Sequence, residues 1–114
     1  MPRETSSRKY LLTINNPKEH GFDHAFIRQN LGQLKGCIYW CMCDEVGEEG
    51  TPHTHIYAAF KNQVMFSTMK QRFYAAHIDA AKGSHRENRD YIRKEGKWRD
   101  SHKAETNLPE TFEE

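Results

Sequence analysis

Two apolar runs separated by a short break constrain this chain more than anything else in it. Gly36 to Glu45 and His53 to Phe60 are rich in apolar and aromatic residues, and Val46 to Pro52 between them carries two glycines and one proline. Strands joined by so short a connection pair antiparallel, because a parallel crossover needs a dozen or more residues. The remaining elements must pack around that hairpin.

Arg8 to Asn16 reads as a further strand with Tyr10, Leu11, Leu12 and Ile14 as its apolar members, closed by Asn15-Asn16-Pro17. Asp23 to Leu34 reads as a helix: Asp23 is a capping residue, and Phe26, Ile27, Leu31 and Leu34 share one side. Ser67 to Tyr74 reads as a short helix and His77 to Lys82 as a strand closed by Gly83. Ser84 and Glu87 form an S-x-x-E capping box that starts a last helix, expected to run to about Glu95 and stop at Gly96. The order β-α-β-β-α-β-α with a hairpin inside it predicts an α+β fold, helices packed on an antiparallel sheet. Residues 1–8 are expected to be a flexible N-terminus, 9–100 one domain, and 101–114 an acidic tail or linker.

The chain has 114 residues, 36% hydrophobic and 29% charged, which suits one soluble globular domain. No run approaches the roughly 20 apolar residues of a membrane span, and Met1 to Lys9 lacks a signal-peptide core, so neither a membrane partner nor secretion is expected. Cys37, Cys41 and Cys43 crowd one short segment, which argues against a disulfide framework and for a reducing compartment. Net charge is +1, but Glu105, Glu110, Glu113 and Glu114 close the chain, and without them 17 Lys/Arg face 12 Asp/Glu. Lys82 to Lys103 holds eight Lys/Arg against four acids, readable either as a solvated face or as a phosphate-binding stripe.

Three groups of residues carry potential chemistry. Strand alternation puts His53 and His55 on one face, where two imidazoles can converge on a metal ion. Across the hairpin, Glu45 lies beside His53 and completes a two-imidazole, one-carboxylate set suited to Mn²⁺ or Mg²⁺. Glu48 in the loop is the second choice for that ligand. Tyr91, Lys94 and Glu95 share a face of the last helix, so a phenol stands one turn from an ammonium that can favour its ionised form or neutralise a phosphate under attack. Together these are parts for phosphodiester cleavage: a metal that polarises the phosphate and a tyrosine that attacks it, leaving a 5′-phosphotyrosyl link and a free 3′-OH.

These residues resemble the replication-initiator (Rep) nuclease domains of circular single-stranded DNA viruses, the HUH endonucleases of circoviruses, nanoviruses and geminiviruses. Leu12-Thr13-Ile14-Asn15-Asn16-Pro17, Thr51-Pro52-His53-Thr54-His55 and Asp90-Tyr91-Ile92-Arg93-Lys94-Glu95-Gly96 resemble the family's three motifs in order, over about Lys9 to Trp98. The resemblance implies a central antiparallel sheet of about five strands flanked by helices. It implies His53, His55 and Glu45 as metal ligands, Tyr91 as nucleophile, Lys94 as its assistant, and Glu95 as an acid near the metal. It also implies nicking and joining of single-stranded DNA at a hairpin origin to start rolling-circle replication, in the host nucleus for a eukaryotic virus. Thr54 departs from the motif, which has a hydrophobic residue between the histidines. No G-x-x-x-x-G-K-[ST] loop occurs, so the helicase domain common in such proteins is expected in a longer parent, or the chain is a short form.

Two other readings stay open on sequence. One is a single-stranded DNA-binding module without catalysis, with Arg8, Asn15, Lys61, Lys82 and Arg86 as candidate contacts and aromatic rings stacking on bases. The other is a small domain clipped by zinc through Cys41, Cys43, His53 and His55, although C-x-C is not the usual zinc spacing.

Overall fold

A computed structural model of the chain describes residues 5–34, 36–47, 49–94 and 98–101. Five strands form one antiparallel sheet in the order β4-β1-β3-β2-β5: β1 (Ser6–Asn15), β2 (Cys37–Val46), β3 (Pro52–Met65), β4 (Ala76–Ala80) and β5 (Trp98–Asp100). Three α-helices accompany it: α1 (His24–Gln33), α2 (Phe66–Arg72) and α3 (His85–Arg93). This is the expected α+β class, with each expected helix and strand found within a few residues of its place. β3 continues five residues past Phe60, and β1 begins at Ser6 because Ser6 and Ser7 pair with Met65 and Val64. β5 was not anticipated: a three-residue strand ending in a charged Arg99-Asp100 pair carries no periodicity. The expected stop at Gly96 and the acidic tail from 102 onward lie outside the described residues.

The long apolar runs follow from a sheet covered on both faces. Tyr10, Leu12 and Ile14 of β1, Met42 of β2 and Ile56, Ala58 and Phe60 of β3 pack against Ile27 and Leu31 of α1 and Met69 of α2. The alternate positions Tyr39, Cys41 and Cys43 of β2 and Tyr57 and Ala59 of β3 pack under Ile92 of α3. With both surfaces buried, apolar residues are favoured at every position, not every second one. No helix among the described residues is long and apolar enough to cross a membrane.

Local signals set the joints. Asn16 takes a left-handed conformation (φ 50°), which asparagine tolerates better than most residues, and Pro17 opens the short 3₁₀ turn Pro17–His20 that leads to α1. Asp23 caps α1 by accepting from the Phe26 amide at 2.8 Å. Gly83 has φ +84°, and a Cβ there would lie 2.7 Å from the Glu87 carboxylate that closes the Ser84 capping box of α3.

Thr54, between the two histidines, points to the α1 side of the sheet and is 1% exposed. Its hydroxyl donates to Asp44 Oδ1 at 2.8 Å, and Asp44 Oδ2 lies 2.8 Å from His24 Nε2 on α1. A hydroxyl therefore replaces the hydrophobic residue of the motif because a carboxylate from β2 turns to meet it. Burial alone would raise the Asp44 pKa, but the hydrogen bonds from His24 and Thr54 outweigh it and hold the carboxyl below its ordinary value.

Thr54→Val should cost about 1 kcal/mol of stability in urea unfolding at pH 7, since one net hydrogen bond is lost. A carboxyl with a lowered folded pKa adds stability that is complete above its unfolded value and fades as pH falls. The gap between Thr54→Val and wild type should therefore shrink below about pH 4. An equal gap at pH 7 and pH 3 would contradict the Asp44 link.

Candidate active site

The β2–β3 register pairs Glu45 with His53 and Cys43 with His55. Glu45, His53 and His55 consequently leave the sheet on the α3 side at its open end. Glu45 Oε1 lies 2.9 Å from His53 Nε2 and 3.1 Å from His55 Nε2. The three donor atoms all lie within 4.8 Å of one another, and this is the one such cluster of three among the described residues. The rings of His53 and His55 stand nearly perpendicular, with centroids 4.7 Å apart.

The outer nitrogens are also engaged. His53 Nδ1 lies 3.2 Å from the Thr51 carbonyl oxygen, so this nitrogen donates. His55 Nδ1 lies 3.2 Å from Thr13 Oγ1 on β1. An imidazole that carries its proton on Nδ1 has Nε2 free to bind a cation in place of the Glu45 hydrogen bond, which is how histidine ligands are usually prepared. The Glu45 carboxyl is held below its ordinary pKa, chiefly by its hydrogen bond to His53, with burial opposing and His55 adding to the effect. It is therefore a carboxylate at neutral pH. One carboxylate oxygen shared by two imidazole nitrogens is a donor set that fits a single divalent cation, and its mixed N/O character fits Mn²⁺ or Mg²⁺.

The zinc clip does not form. Cys43 is 3% exposed and Cys41 fully buried, both in the cluster under α3 and outside the Glu45–His53–His55 group. Burial pushes the Cys41 thiol up to about 12, as for a cysteine packed in an apolar core.

Tyr91 reaches the same place from α3. Its ring centroid is 6.1 Å from that of His55, and Lys94 lies over one face of the ring with Nζ 4.4 Å from the centroid. The residue is 46% exposed, unlike the buried Tyr10, Tyr39 and Tyr57. A cleft of about 520 Å³ opens beside it, with walls that include Thr13, His55, His77, Asp79, Lys82 and Tyr91.

Of the other sequence-selected residues, Lys82 lines this cleft and Asn15 is the Cα partner of His53 at the end of β1. Arg86 is exposed in the first turn of α3 and Arg8 is half-buried on β1. Lys61 stands apart: it follows His55 by six strand residues, roughly 20 Å at about 3.3 Å per residue. Glu48 and Glu95 lie outside the described residues. Sequence reasoning gave Thr13, His77 and Asp79 no role of their own. The alternation of β1 puts Thr13 on the face of Asn15, and H-x-D on β4 puts His77 and Asp79 on one side, 3.0 Å apart, but neither pattern stands out before the sheet order is known.

The five-stranded antiparallel sheet with its three helices is the α+β fold of an HUH-endonuclease-like domain. Residues 7–95 match the family described as "Putative viral replication protein". The chain belongs to that family, as its three motifs suggested. It is 38% identical over 98 residues to the replication-associated protein of Beak and feather disease virus, covering 84% of this chain and 32% of that protein. The replication-associated protein of Pigeon circovirus is 32% identical over 103 residues, covering 83% of this chain and 29% of that protein. Para-Rep C2 of Subterranean clover stunt C2 alphasatellite is 31% identical over 93 residues, 78% of this chain and 31% of that protein. The chain thus spans about a third of the length of these curated relatives.

Removing the Thr13 hydroxyl frees the His55 ring. Thr13→Val is expected to weaken Mn²⁺ binding by roughly tenfold or more, as loss of such supporting hydrogen bonds does elsewhere, whereas Tyr91→Phe should leave it unchanged. Calorimetric titration of the two variants checks this, and unchanged affinity in Thr13→Val would remove that residue from the site.

Proposed function

We propose that this chain is a metal-dependent tyrosine endonuclease and strand-transferase that nicks and rejoins single-stranded DNA to initiate rolling-circle replication. The observation that carries the reading is the approach of an exposed Tyr91, flanked by Lys94, to the Glu45–His53–His55 cluster. Membership of the viral replication family and the names of the relatives support it.

In this reading Glu45, His53 and His55 hold Mn²⁺ or Mg²⁺. When bound, that ion supplies Lewis-acid polarisation of the scissile phosphate. The Tyr91 phenolic oxygen attacks phosphorus and loses its proton to solvent. The P–O3′ bond breaks, the departing oxygen takes up a proton as a free 3′-OH, and the 5′-phosphate stays on Tyr91. Reversal with another 3′-OH rejoins a strand without ATP, because the phosphotyrosine conserves the bond. The Lys94 ammonium stabilises negative charge on the attacking oxygen or the phosphate. Lys82 and Asn15, with Arg8 and Arg86, bind the DNA backbone, and Lys61 contributes only on a strand long enough to reach it. The natural substrate would be a single strand presented at a hairpin origin, the parent protein would carry a helicase domain, and the site of action would be the host nucleus.

Incubation with a labelled origin-type single strand and Mn²⁺ should give a covalent adduct on the Tyr91 peptide by mass spectrometry, linked through a 5′-phosphate. EDTA, His53→Ala and Tyr91→Phe should each abolish it, and Lys94→Ala should slow it by roughly 10²-fold without removing it. An adduct on another residue, or full activity in EDTA, would overturn the mechanism. Binding that survives in every variant with no cleavage by wild type would leave the non-catalytic module.

Affinity for the strand should also fall steeply with salt, because Lys and Arg displace counterions from phosphates. Filter binding between 50 and 200 mM salt tests this: a drop of roughly tenfold or more is expected, and a flat response would exclude a phosphate-tracking surface.

A further inference from the structure

The proposed nucleophile stands in an exposed and mechanically weak place. α3 is 9 residues long and ends at Arg93, so Tyr91 lies in its last turn, where carbonyls lack partners within the helix and ends fray. The other end of α3 is well held: Ser84 and Glu87 close a capping box, and Asn88 Nδ2 donates to the carbonyls of Lys82 and Ser84 at 2.9 Å each. An attacking oxygen must be placed closely, since about 1 Å of displacement can cost roughly 10²-fold in rate.

At the C-terminal end the holding contact comes from outside the helix. Arg93 Nη2 lies 2.5 Å from Asp100 Oδ2, and the Tyr39 hydroxyl donates to the same oxygen at 3.1 Å. The Asp100 side chain is wholly buried, and the Arg93 guanidinium lies over the Trp98 ring at 3.9 Å. Burial raises the Tyr39 hydroxyl well above the ordinary tyrosine value, so it stays a donor. Trp98 and Asp100 belong to β5, which pairs with β2 at Cys41↔Asp100 and Cys43↔Trp98, on the strand that carries Glu45. An α-helix turns by about 100° per residue, so Arg93 and Tyr91 project about 200° apart. Tying Arg93 to the sheet therefore sets the rotation of the turn that presents Tyr91 on the other side. Asp100 also lies beyond residues 7–95, the segment matched to the family.

We propose that Asp100, through Arg93, is a positioning residue for Tyr91, and that β5 is thereby a working part of the nicking unit. The proposal rests on Tyr91 being the nucleophile. β2 then references the ligand Glu45 and the helix of the nucleophile to one frame, so the distance between them is set within a single strand and its neighbour.

The test is single-turnover adduct formation by the Asp100→Asn protein with saturating Mn²⁺ and an origin-type single strand. Loss of positioning should lower the rate constant by roughly 10- to 100-fold while the final adduct yield and the calorimetric Mn²⁺ affinity stay those of wild type. A reduced yield at an unchanged rate constant would mean a merely structural role and overturn the proposal, as would an unchanged rate or a parallel loss of Mn²⁺ binding. Should Asp100→Asn fail to fold, Tyr39→Phe removes one donor to Asp100 and keeps the ring. It should show the same pattern with a smaller fall in rate, and a wild-type rate there would count against the idea. Amide hydrogen exchange at residues 91–94 provides the independent reading. It should quicken in either variant even if wild type forms no adduct, in which case the assignment of Tyr91 fails while the clamp stands. Unchanged exchange would remove the clamp itself.

Discussion

Everything at the open end of the sheet depends on the register of one antiparallel pair, β2 against β3. Glu45 meets His53, and His55 follows on the same face because side chains alternate along a strand. A slip of one residue would send both histidines to the α1 side and bring Thr54 to the cleft. The register is pinned at the turn, where the Gly47 amide donates to the Thr51 carbonyl at 3.0 Å and the Gly50 amide to the Gly47 carbonyl at 2.9 Å. It is pinned along the strands by two buried faces, since a slip would drive Met42 and Ile56 out of one core and Tyr39 and Tyr57 out of the other. The irregularity in this ladder lies between Cys37 and Tyr39, at the end away from the cluster.

The two faces divide the work. The α1 and α2 face holds the larger apolar cluster. The α3 face combines a smaller core with the polar end where Glu45, His53, His55 and Thr13 converge. Even the residue between the histidines serves the structural face, through the Thr54–Asp44–His24 chain that ties α1 to the hairpin. Strands braced from behind keep their side chains in place, which favours convergence of the Glu45, His53 and His55 donor atoms.

The helix opposite is built differently. Ile92 is buried under α3 while Tyr91 and Lys94 face outward, so the element is anchored on one side and open to solvent on the other. This exposure means that no core packing restrains Tyr91 directly. Its neighbours are held instead: Ile92 is buried in the apolar cluster, and the partly buried Arg93 pairs with the buried Asp100.

Much of this was legible in the sequence because it rests on local rules. Strand alternation placed His53 and His55 together, the short break with glycine and proline made the hairpin, and the hairpin brought Glu45 to them. The Ser84–Glu87 capping box announced α3, and Tyr91 with Lys94 one turn on followed from helical spacing. What the tertiary structure alone decided are contacts between residues far apart in the chain. Thr13 behind His55, His77 and Asp79 beside the cleft, and Lys61 far from it depend on which strands are neighbours, and no local pattern contains the order β4-β1-β3-β2-β5. β5 is the extreme case: three residues with no periodicity become a strand because β2 offers a free edge and because Asp100 finds Arg93 and Tyr39 in a buried space where a charge must be paired.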